Sequence, residues 1–254
     1  MQLRILGCSG GIGGTLQTTS MLVDNDILVD AGTGVTALTL SELEQIDHVF
    51  LTHAHLDHIA ALPLIVDTVG TVREKPLIVH CLPEVKKSLQ DHIFNWKIWP
   101  DFGRLPSPDD PFLKWETLEI GETVELGGRR FTTLPANHVV PAVGYWLDSG
   151  ESSLVFTGDT TSNDSLWEAV NEISNLRYLI IETAFPNTER ELAVQSKHLC
   201  PSLLAEELGK LEHSAQVFIT HLKPGAVTQT MAEIQEDALA FGPRMLANGQ
   251  VFRF

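Results

Sequence analysis

Residues 53–58 read His53-Ala54-His55-Leu56-Asp57-His58, four metal-ligating side chains in six positions directly after the apolar run Val49-Phe50-Leu51. Few tasks other than holding metal call for such a string. Imidazole and carboxylate together suit Zn²⁺, Mn²⁺ or Fe²⁺. His53 and His55, two apart, can face one way from an extended strand end. Asp57 and His58 fall on the turn beyond and can face a second ion. Three later segments approach a candidate ligand in the same manner: Thr133-Leu134-Pro135-Ala136-Asn137-His138, Val155-Phe156-Thr157-Gly158-Asp159 and Val217-Phe218-Ile219-Thr220-His221. Each puts its ligand where an apolar strand runs out, and open α/β sheets build their sites at such edges. Whatever fold the chain adopts must therefore bring four strand ends together.

Length and periodicity fit that demand. A chain of 254 residues with 43% hydrophobic content can bury the core of one large α/β domain spanning 1–254. Strands are predicted at 2–7, 20–24, 27–30, 48–52, 76–80, 122–126, 129–134, 143–148, 153–157, 178–181 and 216–220. Helices are predicted at 34–43, 57–70, 83–96, 164–174, 201–210 and 229–240. Asp148-Ser149-Gly150-Glu151 should turn a hairpin. Pro83 and Pro201 suit first helical positions, and Thr230 with Glu233 has capping-box spacing. Ser9-Gly10-Gly11-Ile12-Gly13-Gly14 lacks the lysine of a phosphate-cradling P-loop and reads as a Gly-rich turn at the rim of the site.

Composition narrows the partners. A net charge of −16, from 17 basic against 33 acidic residues, is the wrong balance for long nucleic acid, which is bound by neutralising its phosphates. A small substrate held at the metals is favoured. No run of eighteen apolar residues suggests a membrane span. The N-terminus enters a strand at once, without the basic and apolar regions of a secretory signal. Cys8, Cys81 and Cys200 are scattered and odd in number, so they propose no disulfide framework. A cytoplasmic protein is expected.

The order His-x-His-x-Asp-His, a lone His, Gly-Asp and a final His resembles the metallo-β-lactamase fold of binuclear metallohydrolases, over essentially the whole chain. Leu28-Val29-Asp30-Ala31-Gly32 is similar to that family's early Asp-x-Gly turn. The resemblance implies an αββα sandwich, two sheets flanked by helices. It implies that His53, His55 and His138 take one ion, that Asp57, His58 and His221 take a second, and that Asp159 bridges them. Asp91-His92-Ile93-Phe94-Asn95-Trp96-Lys97-Ile98-Trp99-Pro100-Asp101-Phe102 further resembles class II 3′,5′-cyclic-nucleotide phosphodiesterases, as do His55-Leu56-Asp57-His58-Ile59, Ile181-Glu182-Thr183-Ala184-Phe185-Pro186, Lys197-His198-Leu199 and Thr220-His221-Leu222-Lys223-Pro224. The chain departs from that signature after Ile59, where it continues Ala60-Ala61-Leu62.

These likenesses imply a hydrolase with two divalent ions, Zn²⁺ first and Mn²⁺ or Fe²⁺ after it, that opens cyclic AMP or GMP to the 5′-monophosphate. Asp57 would orient the attacking hydroxide as well as bind metal. His198 would protonate the leaving alkoxide with Glu182 behind it, as in the related tRNA 3′-processing endonucleases. Lys223 and Arg104 are candidates for steadying a phosphate. In the aromatic stretch most rings are expected to cap the core or make a subunit contact, which suits a homodimer, while Trp96 or Trp99 is the candidate to stack a nucleobase. The alternatives are a tRNA 3′-processing endonuclease, a hydrolase of another small cyclic phosphodiester, and a metal-bound sensor or scaffold.

Overall fold

Several strands of this chain are apolar on both faces, which a sheet satisfies only when it is covered on both sides. The computed structural model, which describes residues 1–254, covers them so. The chain forms β1 (Gln2–Gly7), β2 (Ser20–Val23), β3 (Ile27–Ala31), β4 (His48–Phe50) and β5 (Leu77–Cys81), then a two-stranded ribbon of β6 (Pro106–Ser107) and β7 (Asp110–Pro111), then β8 (Leu113–Thr117). A second run follows: β9 (Thr123–Leu126), β10 (Arg129–Pro135), β11 (Val143–Asp148), β12 (Ser153–Phe156), β13 (Leu176–Glu182), β14 (Gln216–Thr220) and β15 (Arg244–Met245), before β16 (Val251–Arg253) returns to flank β1. The strands form two seven-stranded sheets, ordered β16-β1-β2-β3-β4-β5-β8 and β15-β14-β13-β12-β11-β10-β9.

Alternation along three strands shows how the layers are filled. Leu154 and Phe156 of β12, Ile180 of β13 and Phe218 of β14 belong to the core between the sheets. Their neighbours Val155, Leu179, Ile181, Val217 and Ile219 face the other way, into a second core beneath helices α5 (Asp164–Asn171), α7 (Pro201–Leu208) and α8 (Val227–Asp237). On the first sheet the helices α3 (Leu62–Val69) and α4 (Pro83–His92) contribute Leu62, Ile65, Val85 and Leu89 to the larger core. The result is the expected αββα sandwich.

Two ties join the sheets. Phe50 of β4 stacks on Phe131 of β10, with ring centroids 4.5 Å apart, and meets Tyr145 of β11 edge-on at 5.6 Å. The fully buried Tyr145 hydroxyl donates to the Leu51 carbonyl at 2.8 Å. At the margin, the Arg129 guanidinium forks onto Asp26 at 2.6 and 2.8 Å and reaches Asp24 at 3.1 Å, so that β10 is held to the β2–β3 turn.

Pro83 and Pro201 take first helical positions, and residues 148–153 turn the β11–β12 hairpin as predicted. Other boundaries differ. The helix predicted over 34–43 is a 3₁₀ turn, Thr33–Ala37, and a short α1 (Leu40–Leu43), separated where Leu38 is extended and Thr39 caps α1 with Glu42. The one predicted over 57–70 splits into α2 (Leu56–Ile59) and α3, with Pro63 at the start of the second. Thr230 and Glu233 do not form a cap. Helix α8 begins at Val227, Thr230 Oγ1 donates back to the Ala226 carbonyl at 2.9 Å, and Glu233 accepts from the Asn187 amide. Strands β6, β7, β8, β15 and β16 and helix α6 (Arg190–Gln195) lie outside the predicted elements. Strand β8, Leu113-Lys114-Trp115-Glu116-Thr117, does alternate apolar and polar, whereas β6, β7, β15 and β16 are two or three residues long and emerge only from their neighbours.

Tyr145→Phe should lower the unfolding free energy by about 1–3 kcal/mol, because it leaves a buried carbonyl without its donor. Denaturant unfolding checks this, and an unchanged midpoint would show that the tie is idle. The margin tie should depend on pH. Hydrogen bonding from Arg129 holds the Asp26 carboxyl below its ordinary value, so its contribution is present above the usual carboxylate range and is lost as pH falls through the lowered value. Asp26→Asn should be less stable than the parent at pH 7 by about 0.5–1 kcal/mol. That gap should close as the pH drops below about 4.

Candidate metal centre

The parallel relations of the strands put the candidate ligands at one edge. His53 and His55 follow β4, and His55 precedes the single-turn helix α2 that carries Asp57 and His58. His138 follows β10, Asp159 follows β12, Glu182 ends β13 and His221 follows β14. Local backbone assists. Gly158 has φ +61°, and a Cβ there would lie 2.7 Å from the Val143 carbonyl oxygen, so only glycine turns the chain to deliver Asp159. Gly10, in the Gly-rich loop, lies against His221. A Cβ there would fall 2.4 Å from the His221 carbonyl oxygen.

All seven predicted ligands come together. His53, His55, His138 and Asp159 offer ligand atoms within 4.8 Å of one another, as do Asp57, His58 and His221. Asp159 lies between the two sets. Its Oδ2 is 3.7 Å from His53 Nε2, 3.4 Å from His58 Nε2 and 3.2 Å from His221 Nε2. Across the site, His138 Nε2 is 3.2 Å from His55 Nδ1 and His221 Nε2 is 3.1 Å from Asp57 Oδ2.

A buried network aims these atoms. Asp30, in the left-handed region at φ +58°, points its carboxylate at the loop. It accepts from the Thr52 amide at 2.8 Å, from Thr52 Oγ1 at 2.8 Å and from His58 Nδ1–H at 2.7 Å. Because Thr52 Oγ1 spends its proton on Asp30, it accepts from His53 Nδ1–H at 3.0 Å. His138 Nδ1–H donates to the Lys197 carbonyl at 3.1 Å. Three imidazoles thus have one nitrogen committed behind them and present Nε2 to the cluster, as metal-ligating histidines do.

The donors fit divalent cations. His53 Nε2 and His58 Nε2 are buried and have no hydrogen-bond partner, an uncompensated cost for a polar atom that a cation removes. Electrostatics agrees. Burial, and then the neighbouring His58, hold His53 far below the usual histidine range. Burial also takes His138 down to about 4. For Asp159, burial is overcome by His221, His58 and His53, and the carboxyl stays ionised far below its ordinary value. His58 goes the other way: burial opposes its charge, but Asp159 and Asp30 raise it well above its ordinary value. A cation binding at His58 Nε2 must displace that proton.

Beside the cluster, His198 Nδ1 bonds Glu182 Oε1 at 2.7 Å. Its ring stacks on His221 at 5.1 Å and meets His138 at 5.0 Å. Burial works against the charged imidazole, yet the Glu182 charge and hydrogen bond outweigh it and raise His198 above its ordinary value. Lys223 lies at the rim, with Nζ donating to the Gly10 carbonyl at 2.8 Å.

Trp96, Trp99 and Arg104 are not brought to the site, which corrects their assignment to substrate. Their segment is stitched to the first residues of β5 and β8: Leu113 N–H donates to the Phe102 carbonyl at 3.2 Å, and Leu77 N–H to that of Phe112 at 2.8 Å. In β5, Ile78 stands opposite His48, the first residue of β4, whereas the ligands follow the last. The segment therefore lies at the far edge of the sheet. Arg104 pairs there with Asp101 at 3.2 Å, and Trp96 is 59% exposed. Phe94 and Phe102 are buried in the core, as expected for most of that stretch. Thr52 carried no signal in the sequence and Lys197 stood there only within the Lys197-His198-Leu199 likeness, because their parts are played by a hydroxyl and a main-chain carbonyl that many residues could supply.

If Asp30 aims the ligands, Asp30→Asn should weaken divalent-ion binding about 10- to 100-fold. Zn²⁺ titration of metal-stripped protein against a competing chelator measures it, and parental affinity would refute the aiming role.

Residues 25–237 match the family described as "Beta-lactamase superfamily domain". The chain is 25% identical over 210 residues to a probable 3′,5′-cyclic-nucleotide phosphodiesterase of Yersinia pestis, covering 71% of this chain and 58% of that protein. It is 25% identical over 272 residues to a 3′,5′-cyclic-nucleotide phosphodiesterase of Aliivibrio fischeri, covering 86% and 80% of the two. Endoribonuclease ysh1 of Schizosaccharomyces pombe is 27% identical over 184 residues, which are 65% of this chain and 24% of that protein. The chain thus spans well under two thirds of the Yersinia and Schizosaccharomyces proteins. Among solved structures, unliganded yeast PDE1 superposes with a TM-score of 0.82 at 20% identity, covering 98% of each chain, a likeness of fold. No helix is long and apolar enough to cross a membrane. On fold, ligand cluster and family match together, the chain is a member of the β-lactamase superfamily with the architecture of a metallohydrolase.

Proposed function

We propose that the chain hydrolyses 3′,5′-cyclic AMP or GMP to the 5′-monophosphate, with two divalent ions, Zn²⁺ foremost, held by His53, His55 and His138 on one side, Asp57, His58 and His221 on the other, and Asp159 between. The observation that carries this reading is the buried His198–Glu182 pair, 2.7 Å apart, beside the ligand cluster. The pair supplies a proton donor where a phosphodiester would lie. When bound, the two ions would supply Lewis acidity toward phosphoryl oxygens and acidify a water toward neutrality. The chain's own groups do the rest.

Asp57 is the most open carboxylate of the cluster, with 26% of its side chain exposed, and it accepts the attacking water's hydrogen bond and aims its oxygen at phosphorus. As the new P–O bond forms, the bond to the ribose O3′ breaks. His198 Nε2–H then protonates the departing alkoxide, while Glu182 at Nδ1 stabilises the imidazolium before transfer and fixes its orientation. Lys223 offers the free N–H groups of its ammonium to phosphate oxygens at the rim. The −16 charge favours a small diester over a polynucleotide, and two relatives carry the cyclic-nucleotide name. The same reading places the protein in the cytoplasm.

The test is hydrolysis of cyclic AMP and cyclic GMP by Zn²⁺- or Mn²⁺-loaded protein, with products separated chromatographically. Metal-dependent release of the 5′-monophosphate is expected, reduced by more than about 100-fold in Asp57→Ala. Cleavage of a p-nitrophenyl phosphodiester without either cyclic nucleotide would overturn the substrate and redirect the search to RNA, which the endoribonuclease relative makes the next class to assay. His198→Ala should slow an alkoxide leaving group by about 10²–10⁴-fold and a p-nitrophenolate far less, since the latter needs no proton. Equal losses on both would remove His198 from the proton-donor role.

A further inference from the structure

Lys197 occupies a position that normally belongs to glycine. It follows helix α6 with φ +54°, in the left-handed region. Its amide donates to the Val194 carbonyl at 3.2 Å, and the next amide, that of His198, donates to the Ala193 carbonyl at 2.8 Å. This is the paired bonding of a Schellman helix end, whose turning residue is usually Gly because a side chain there is strained. A lysine at this point needs a reason, and its contacts supply one. The Lys197 carbonyl accepts from His138 Nδ1–H at 3.1 Å, while Lys197 Nζ donates to the His138 main-chain carbonyl, also at 3.1 Å. The two residues are 59 positions apart in sequence and hold each other by both ends.

We infer that Lys197 is a positioning residue for the centre: its turn aims the His138 Nε2 at the first ion, its ammonium anchors the His138 loop, and the same turn delivers His198 to Glu182. Three features support the division of labour. The carbonyl can only accept, so it forces the His138 proton onto Nδ1 and leaves Nε2 free to ligate. His138 sits on the irregular segment Ala136–Asn137–His138. Asn137 is tied to the next loop, its amide donating to Thr160 Oγ1 at 2.9 Å and its carbonyl accepting from the Thr161 amide at 3.0 Å, whereas the His138 carbonyl is held by Lys197 Nζ. The turn that points the Lys197 carbonyl at His138 also sets His198 Nδ1 against Glu182 Oε1 at 2.7 Å, so ligand and proton donor share one support. Glycine would make the turn with less strain but could not hold the His138 carbonyl.

The inference rests on the centre holding divalent ions, and its test reads ion binding directly. Metal-stripped parent, Lys197→Gly, Lys197→Met, Lys197→Arg and His138→Ala would be titrated with Zn²⁺ by calorimetry, with thermal unfolding of each stripped protein recorded alongside. Lys197→Gly should melt no lower than the parent, because the left-handed turn is relieved, yet it should bind one of the two ions about 10-fold more weakly. Lys197→Met should weaken the same ion, and Lys197→Arg, which can reach the same carbonyl, should restore it. Adding Lys197→Gly to His138→Ala should cost nothing more for that ion, since the support acts through His138. Parental affinity in both Lys197→Gly and Lys197→Met would overturn the inference while leaving the centre intact. A parent that binds no divalent ion would instead refute the centre itself, and the inference with it.

Discussion

The structure is organised around one buried carboxylate. Asp159 Oδ2 lies within 3.7 Å of three imidazole nitrogens, two from the segment after β4 (His53 and His58) and one from the loop after β14 (His221). Burial penalises that charge, and no single neighbour offsets it; the surrounding imidazoles do so jointly. Two of those nitrogens have no hydrogen-bond partner in the protein. A cluster of this kind suits a cation, which would satisfy the unpartnered nitrogens that otherwise cost kilocalories as buried polar atoms. The sandwich exists, in this sense, to bring loops from separate strands to one dry edge.

The ties between the sheets serve the same end. Phe50, two residues before Thr52, stacks on Phe131, and Tyr145 bonds the carbonyl of the intervening Leu51. The strand that carries His53 is thereby pinned from across the core just before it reaches the site. Asp30 then couples the neighbouring strand to the ligand loop through Thr52 and His58. Packing and hydrogen bonding thus act in sequence along a few residues. The position of His53 Nε2 is inherited from the aromatic core beneath it.

Much of this was legible beforehand, for reasons that differ by residue. Ligand identity could be read because metal chemistry accepts few side chains and the hexad crowds four of them together. The αββα plan followed from the resemblance, since periodicity by itself reaches only an α/β domain. The aromatic segment misled because tryptophan and arginine suggest a ligand wherever they occur. Only the chain path after α4 shows that Trp96, Trp99 and Arg104 end at the far edge of the sheet. The Thr230–Glu233 spacing failed similarly, because the helix began earlier and Glu233 found a partner on another loop, the Asn187 amide.

By itself the sequence determined which atoms could hold ions, since donor chemistry resides in the side chain: His53, His55, Asp57, His58, His138, Asp159 and His221 needed no coordinates to be named. It also determined where buried strands end, because alternation and its loss are local. Tertiary structure alone decided how those atoms are aimed. The tautomers of His53, His58 and His138 depend on Thr52, Asp30 and the Lys197 carbonyl. The last of these belongs to the main chain, and a carbonyl carries no mark in the residue alphabet. Aim depends on contacts between residues 59 positions apart, and those exist only once the sheets have closed.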